Sequence, residues 1–235
     1  MLSHPITNTI ETIFGIKFMD YVAARQNMVD CQVLPNRVTN LKVVEGMLSL
    51  PREKFVPLEL MDVAYLDGSL PLGSGRYLMK PMIMARLLDT IEPDNQEVAM
   101  VVGCASGYLT ALLASMVSSV VAVEVDKTFN LRVGETFKEL GIDNVLLVKG
   151  SLNGGFNKQS PYDVIVFDGA VAVIPDSIIE QLADGGRLIA IVIGEDGVGR
   201  VTLVTRHGEV ISSRNIFEAS AQLLPGFEHK VSFSF

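Results

Sequence analysis

Val98-Ala99-Met100-Val101-Val102-Gly103-Cys104-Ala105-Ser106-Gly107-Tyr108 is the stretch that decides the fold. An apolar run of strand length breaks at a small-residue loop, and a helical pattern begins near Ser106. A second apolar run, Val120 to Val125, carries Glu124 at its far end, 21 residues after Gly103. Strand, tight loop, helix and acid-tipped strand make the layout of a nucleotide-binding βαβ unit. The loop lets the backbone approach a ligand, the helix N-terminus attracts polar or negative groups, and the acid accepts hydrogen bonds from ribose hydroxyls. Gly103, Ala105, Ser106, Gly107 and Glu124 are the first candidate binding residues. Ala105 stands where such loops usually have a second glycine.

Downstream the alternation continues. Helices are expected over Ser106–Val117 and Asp126–Leu140, the second stopped by Gly141, with strands over Val145–Lys149 and Val164–Phe167 and Asp168 at the end of the latter. A helix from Pro175 to Ala183 and a strand Leu188–Ile193 follow. Unbroken apolar strands imply burial on both faces, hence a parallel sheet flanked by helices. Arg200–Arg206 and Glu209–Ser213 then flank His207-Gly208 as an antiparallel hairpin, and Lys230–Phe235 reads as a last strand.

Upstream, Asp20–Gln32 and Leu41–Leu48 read as helices, and Leu72–Pro81 as a glycine-rich connection into a helix from Pro81 to Ile91. The organisation expected is an N-terminal arm (1–18), a helical region packing on the core (19–92) and a binding core (93–235). The first 18 residues lack a basic start and Glu11 interrupts them, which argues against a secretory signal.

Hydrophobic residues make up 49% of the 235, enough for a sizeable core, and no apolar run is long enough to span a bilayer. Nineteen basic against 27 acidic residues give a net charge of −8, which repels a phosphate backbone and excludes nucleic acid as a partner. His4, His207 and His229 are scattered, and Cys31 and Cys104 form no framework, so no metal is expected and a reduced, cytoplasmic setting is.

Several ordered segments together resemble the protein-L-isoaspartate O-methyltransferase family, over most of residues 19–195. Leu50-Pro51-Arg52-Glu53-Lys54-Phe55-Val56-Pro57 is similar to its VPRExFVP segment, and Leu70-Pro71-Leu72-Gly73-Ser74-Gly75 to its LPIGxG. Ser106-Gly107-Tyr108 resembles the end of its GTGSGY loop. Tyr162-Asp163-Val164-Ile165, Ile174-Pro175 and Glu180 to Leu188 match its YDxII, IP and EQLxxGGRL run. The resemblance implies a Rossmann-like α/β fold with a seven-stranded sheet, parallel in its core and closed by an antiparallel hairpin. It further implies S-adenosylmethionine as cofactor and a protein or peptide bearing an isoaspartyl residue as substrate. In the family the α-carboxylate of that residue attacks the methyl group in line, and the ester later collapses to a succinimide.

The departures from the family pattern are specific. Val101 stands where the family has an acid before the loop, and Ser151 where it has one after the third strand; Ser151 can still make a hydrogen bond to a cofactor. The active-site segment, usually close to Q-T-I-S-Q-P, reads Arg76-Tyr77-Leu78-Met79-Lys80-Pro81, so the family's serine falls on Met79, whose thioether donates no hydrogen bond. Lys80 is the candidate to hold a carboxylate by charge. Glu124 is retained for the ribose, and Asp168 lies at the mouth of the sheet. Three readings follow: an isoaspartyl repair methyltransferase with a divergent site, the same fold with another methyl acceptor, or a non-enzymatic relative. Asp168-Gly169-Ala170-Val171 lacks the Pro-Pro-aromatic grip of nucleic-acid N-methyltransferases, and the Gly103-x-x-x-Gly107 spacing with the closing hairpin argues against a nicotinamide dehydrogenase.

Overall fold

The computed structural model describes residues 19–228. The expected N-terminal arm and the expected last strand at 230–235 lie outside the described residues.

The chain begins with helix α1 (Tyr21–Met28), which Asp20 caps, and continues through a π turn, Val29–Val33, and a 3-10 turn, Leu34–Asn36. Pro35 has no N–H to carry the ladder on, and Arg37 closes it in the left-handed region (φ 61). Helix α2 (Leu41–Ser49) is capped by the Asn40 side chain. Next comes a small antiparallel hairpin, β1 (Leu70–Gly73) and β2 (Arg76–Leu78), turned by Ser74 and Gly75 at φ 49 and 70. The hairpin stands where a glycine-rich connection is expected, because its strands are too short to show alternation. Pro81 opens helix α3 (Pro81–Ile91), as expected for a residue whose missing N–H is unpaired there anyway.

The core follows as β3 (Val98–Val102), α4 (Tyr108–Ala114), β4 (Ser119–Glu124), α5 (Lys127–Leu140) and β5 (Val145–Lys149). Then come β6 (Tyr162–Val171), a single helical turn α6 (Asp176–Ile179), β7 (Leu182–Ile193), and the hairpin β8 (Gly199–His207) with β9 (Val210–Glu218). The sheet order is β5-β4-β3-β6-β7-β8-β9, with β3 to β7 parallel and β8 and β9 antiparallel. Strand order reverses between β3 and β6, so a crevice opens at their C-terminal ends, where ligands of such sheets bind. Ala99 and Val101 pack into the cluster that holds α3, α4 and α5, and Met100 and Val102 into the cluster on the opposite face.

Three expectations are corrected. Helix α4 is shorter at both ends than Ser106–Val117, because Ala105 and Gly107 both need positive φ and delay its start. Ala183 to Gly186 belong to a bulge in β7 rather than to a helix end, so the helix expected over Pro175–Ala183 is one turn. Asp168 lies within β6 rather than at its tip. Pairing with β7 slips between Val166 and Ala170, a bulge that lifts Phe167 to Gly169 off the ladder beside the crevice.

Two loop positions separate strain from necessity. Ala105 holds φ 41, a conformation that costs an L-residue roughly 1–2 kcal/mol. At Gly107 (φ 85) an added Cβ would meet Val133 Cγ1 of α5 at 2.7 Å. Ala105→Gly is therefore expected to raise stability by about 0.5–1 kcal/mol. Gly107→Ala should lower it by at least about 2 kcal/mol, through both backbone and overlap. Urea unfolding of the two variants tests the pair, and equal effects would refute the assignment.

Candidate active site

Strand β4 is apolar along its length and buried on both faces, so the carboxylate at its end has no water to meet: Glu124 is 0% exposed. Its partners are all internal. Oε1 accepts from Val125 N at 2.9 Å and Asp126 N at 3.2 Å, and Oε2 from Ala105 N at 2.8 Å. Arg76 Nη1 reaches both oxygens at 2.7 Å, from the first residue of β2. Arg76 Nη2 donates to Gly103 O at 2.7 Å, and the side chain is itself only 4% exposed. A carboxylate offers about four lone-pair sites, and these five contacts saturate it.

The same space is closed from the other side. After β9 the chain returns across the crevice mouth, and Leu223 bridges to Ala170 of β6. Ala170 N donates to Gln222 O, Leu224 N to Ala170 O (both 2.8 Å), Ala172 N to Phe227 O (3.1 Å) and Asn153 Nδ2 to Gly226 O (2.9 Å). Leu224 points inward, so that a Cβ at Gly103 would stand 2.8 Å from its Cδ2, and one at Gly169 would stand 2.6 Å from the same atom. Between Arg76, Met79, Asp168 and Leu224 remains a void of about 10 Å3, room for one water at most.

Asp168 borders that void with Oδ1 unpartnered among the described residues. Burial, reinforced by Glu124 and opposed first by Arg76 and then by Arg52, pushes its carboxyl up to about 8, so it is a neutral acid at pH 7. Burial likewise pushes the Cys104 thiol up, which makes it unreactive. The fully buried Arg52 lies over the Tyr108 ring and donates to Ala64 O and Met79 O at 2.7 Å each, and burial lowers its pKa. Its bond to Met79 O holds the backbone where β2 leaves for α3.

The residues named from sequence thus divide. Gly103, Ala105, Glu124 and Asp168 converge around Arg76 and Leu224. Met79 is 2% exposed and lines the void, whereas Lys80, half-buried, sits at the N-cap of α3. Ser106 opens instead on a groove of about 880 Å3 that also touches Phe55, Phe129 and Arg132. Ser151 is exposed on a cavity of about 560 Å3 shared with Val125, Leu152 and Pro225. Gly107 packs against α5 and faces neither. Val101 is fully buried among apolar side chains, so an acid there would have no partner.

Sequence reasoning missed Arg76 and Leu224. A signal for the first existed: Arg76 is the only basic residue between Lys54 and Lys80, and Glu124 the only charged one from Val98 to Val125. A lone base in one stretch and a lone charge in another must find partners if both are buried. In this arrangement the inner crevice, from Gly103 to Glu124, has no room for the cofactor that the resemblance implies, since ligand pockets are typically about 300–1,000 Å3. Among the described residues no cluster of His, Cys, Asp and Glu could hold a metal, and no helix is long and apolar enough to cross a membrane.

The family model for protein-L-isoaspartate(D-aspartate) O-methyltransferase matches residues 24–219. Protein-L-isoaspartate O-methyltransferase 2 of Shewanella sediminis is 32% identical over 189 residues, 80% of this chain and 78% of that protein. The protein-L-isoaspartate O-methyltransferase of Methanoculleus marisnigri is 35% identical over 186 residues, 79% and 84%. Among solved structures, a protein-L-isoaspartate O-methyltransferase superposes with TM-score 0.75 at 23% identity, covering 86% of this chain and 66% of that one. A Plasmodium falciparum chain assigned to the same enzyme type, solved with S-adenosyl-L-homocysteine, superposes at 0.72 and 20% identity, covering 88% and 99%. At these identities the two structures speak for the fold.

Two outcomes follow from the electrostatics. Arg76→Met or Glu124→Gln alone should cost about 3–5 kcal/mol by stranding a buried partner, and the double variant less than the sum. Chemical denaturation of the four proteins gives the coupling, and additive losses would mean the pair is not coupled. Asp168 binds its proton more tightly folded than unfolded, so stability should fall as pH rises from about 4 to about 8 and level off above. Asp168→Asn should lack that component. Parallel pH profiles of the two proteins would show that Asp168 ionises normally.

Proposed function

The chain belongs to the protein-L-isoaspartate(D-aspartate) O-methyltransferase family, and on that premise we propose that it transfers a methyl group from S-adenosylmethionine to the free α-carboxylate of isoaspartyl residues in proteins, as a step of protein repair. The observation that carries this is the family match over residues 24–219, from within α1 to just past β9. The crevice at the β3–β6 reversal, rimmed by the Gly103–Gly107 loop, lies where ligands of such sheets bind and has to open to admit one, which supports the reading. The absence of a membrane-crossing helix among the described residues, the reduced cysteines expected and the acidic charge support a cytoplasmic enzyme that acts on proteins rather than nucleic acid.

Bound S-adenosylmethionine would supply an electrophilic methyl carbon. The acceptor is already an anion at neutral pH, so this chain needs no general base; its residues have to align the acceptor oxygen and exclude water. Met79 gives the inner crevice an apolar side beside Arg76 and Asp168, which serves exclusion. Lys80 is our candidate to hold the acceptor carboxylate by charge, and neutral Asp168 can donate a hydrogen bond to an oxygen in the void. No hydroxyl stands at position 79 to fix the acceptor's orientation.

The test is methyl transfer to an isoaspartyl peptide beside its aspartyl twin. Base-labile methyl ester should form on the isoaspartyl peptide alone. Met79→Ser should raise kcat/KM several-fold, since one aligning hydrogen bond is worth on the order of 1 kcal/mol, and Lys80→Gln should raise KM for the peptide. If wild type and Met79→Ser both bind the methyl donor but leave the isoaspartyl peptide untouched, the acceptor is a different one.

A further inference from the structure

We propose that this chain carries an internal occupant of its own methyl-donor crevice: a latch in which the Arg76 guanidinium takes up Glu124 while Leu224 fills the space over Gly103 and Gly169. The identity of the ligand that the latch excludes rests on the methyl-transfer reading above.

Three separate observations meet here. Glu124 has no acceptor capacity left for a ligand's hydroxyls while Arg76 Nη1 bridges its two oxygens. The two glycines that leave the backbone bare at the crevice, one on the β3 loop and one in the β6 bulge, are both covered by the same leucine. The return segment that carries Leu224 also forms the wall between the inner void and the open cavity beside Ser151, since Leu223 and Leu224 line the first and Pro225 and Gly226 the second.

Both halves of the latch sit on elements suited to move. Arg76 starts a three-residue strand whose turn, Gly73 to Gly75, is exposed. The return segment is tied by two backbone hydrogen bonds to Ala170 of β6, by one to Ala172 just beyond it and by one to the Asn153 side chain, with Gln222, Gly226 and Glu228 exposed. Such short, sparsely bonded segments open at a fraction of the global unfolding free energy. A ligand that needs the open form binds more weakly by the fraction of time the site is open. Removing either half of the latch should therefore tighten binding.

The experiment is calorimetric titration of S-adenosylhomocysteine into the full chain, Arg76→Ala and Leu224→Ala, with amide hydrogen exchange at Ala170 and Leu224. Expected are a wild-type Kd at least ten-fold weaker than that of either variant, and loss of protection at both amides in wild type once ligand is added. Leu224→Ala and the wild-type exchange data decide the matter if Arg76→Ala does not fold. Equal affinities with unchanged protection would overturn the latch, and so would folded variants that bind no better than a non-binding wild type. Tight binding by the variants without methyl transfer to an isoaspartyl peptide would support the latch and count against the methyl-transfer reading.

Discussion

A carboxylate with no exposed surface must find every hydrogen bond inside the protein, and the architecture around the crevice answers to that demand at Glu124. Strand β4 ends in the sheet's interior, so Glu124 cannot reach water, and an unpaired charge there would be prohibitive. The compensation comes from three directions at once: the amides of Val125 and Asp126 beyond the strand, the Ala105 amide, and Arg76. The left-handed φ of Ala105 belongs to this arrangement, in a loop whose N–H is aimed at the acid. So does the β1–β2 hairpin, which delivers a guanidinium that also clamps Gly103 O.

The charge balance of the interior extends from that pair. Arg76 and Arg52 are both buried, while of the acids near them Glu124 is hydrogen-bonded throughout and Asp168 is left with a bare oxygen. Desolvation outweighs the two guanidinium groups at Asp168 and keeps it protonated at neutral pH. Arg52 is held by carbonyls and an aromatic face instead of a carboxylate, and so organises the backbone from Ala64 to Met79 without drawing on the acids of the crevice.

Methyl transfer to a carboxylate asks less of catalytic side chains than most group transfers, because the nucleophile arrives ionised. Met79, at the position where the resemblance puts a serine, is therefore compatible with the proposed reaction. On the proposed reading the difference lies in how the acceptor is oriented, and Met79 and Leu224 stand beside Arg76 and Asp168 in the inner wall.

How much of this was legible in the sequence follows from the range of the interactions concerned. The parallel core, the loop after β3, the Gly141 stop and the closing hairpin all rest on periodicities and turn residues a few positions apart, and each was readable from the residues that form it. The β1–β2 hairpin was too short to alternate. The helix expected at Pro175–Ala183 shrank to one turn because a bulge in β7 took its last residues. Whether Glu124 meets a ligand or an arginine could not be read locally, since Arg76 lies 48 positions away and its reach depends on where the hairpin docks. The cover supplied by Leu224 depends on the return of the chain after β9 onto a bulge in β6. Local propensity thus determined the elements and their order. Tertiary packing decided what fills the crevice between them, because burying a charge obliges distant parts of the chain to supply its partners.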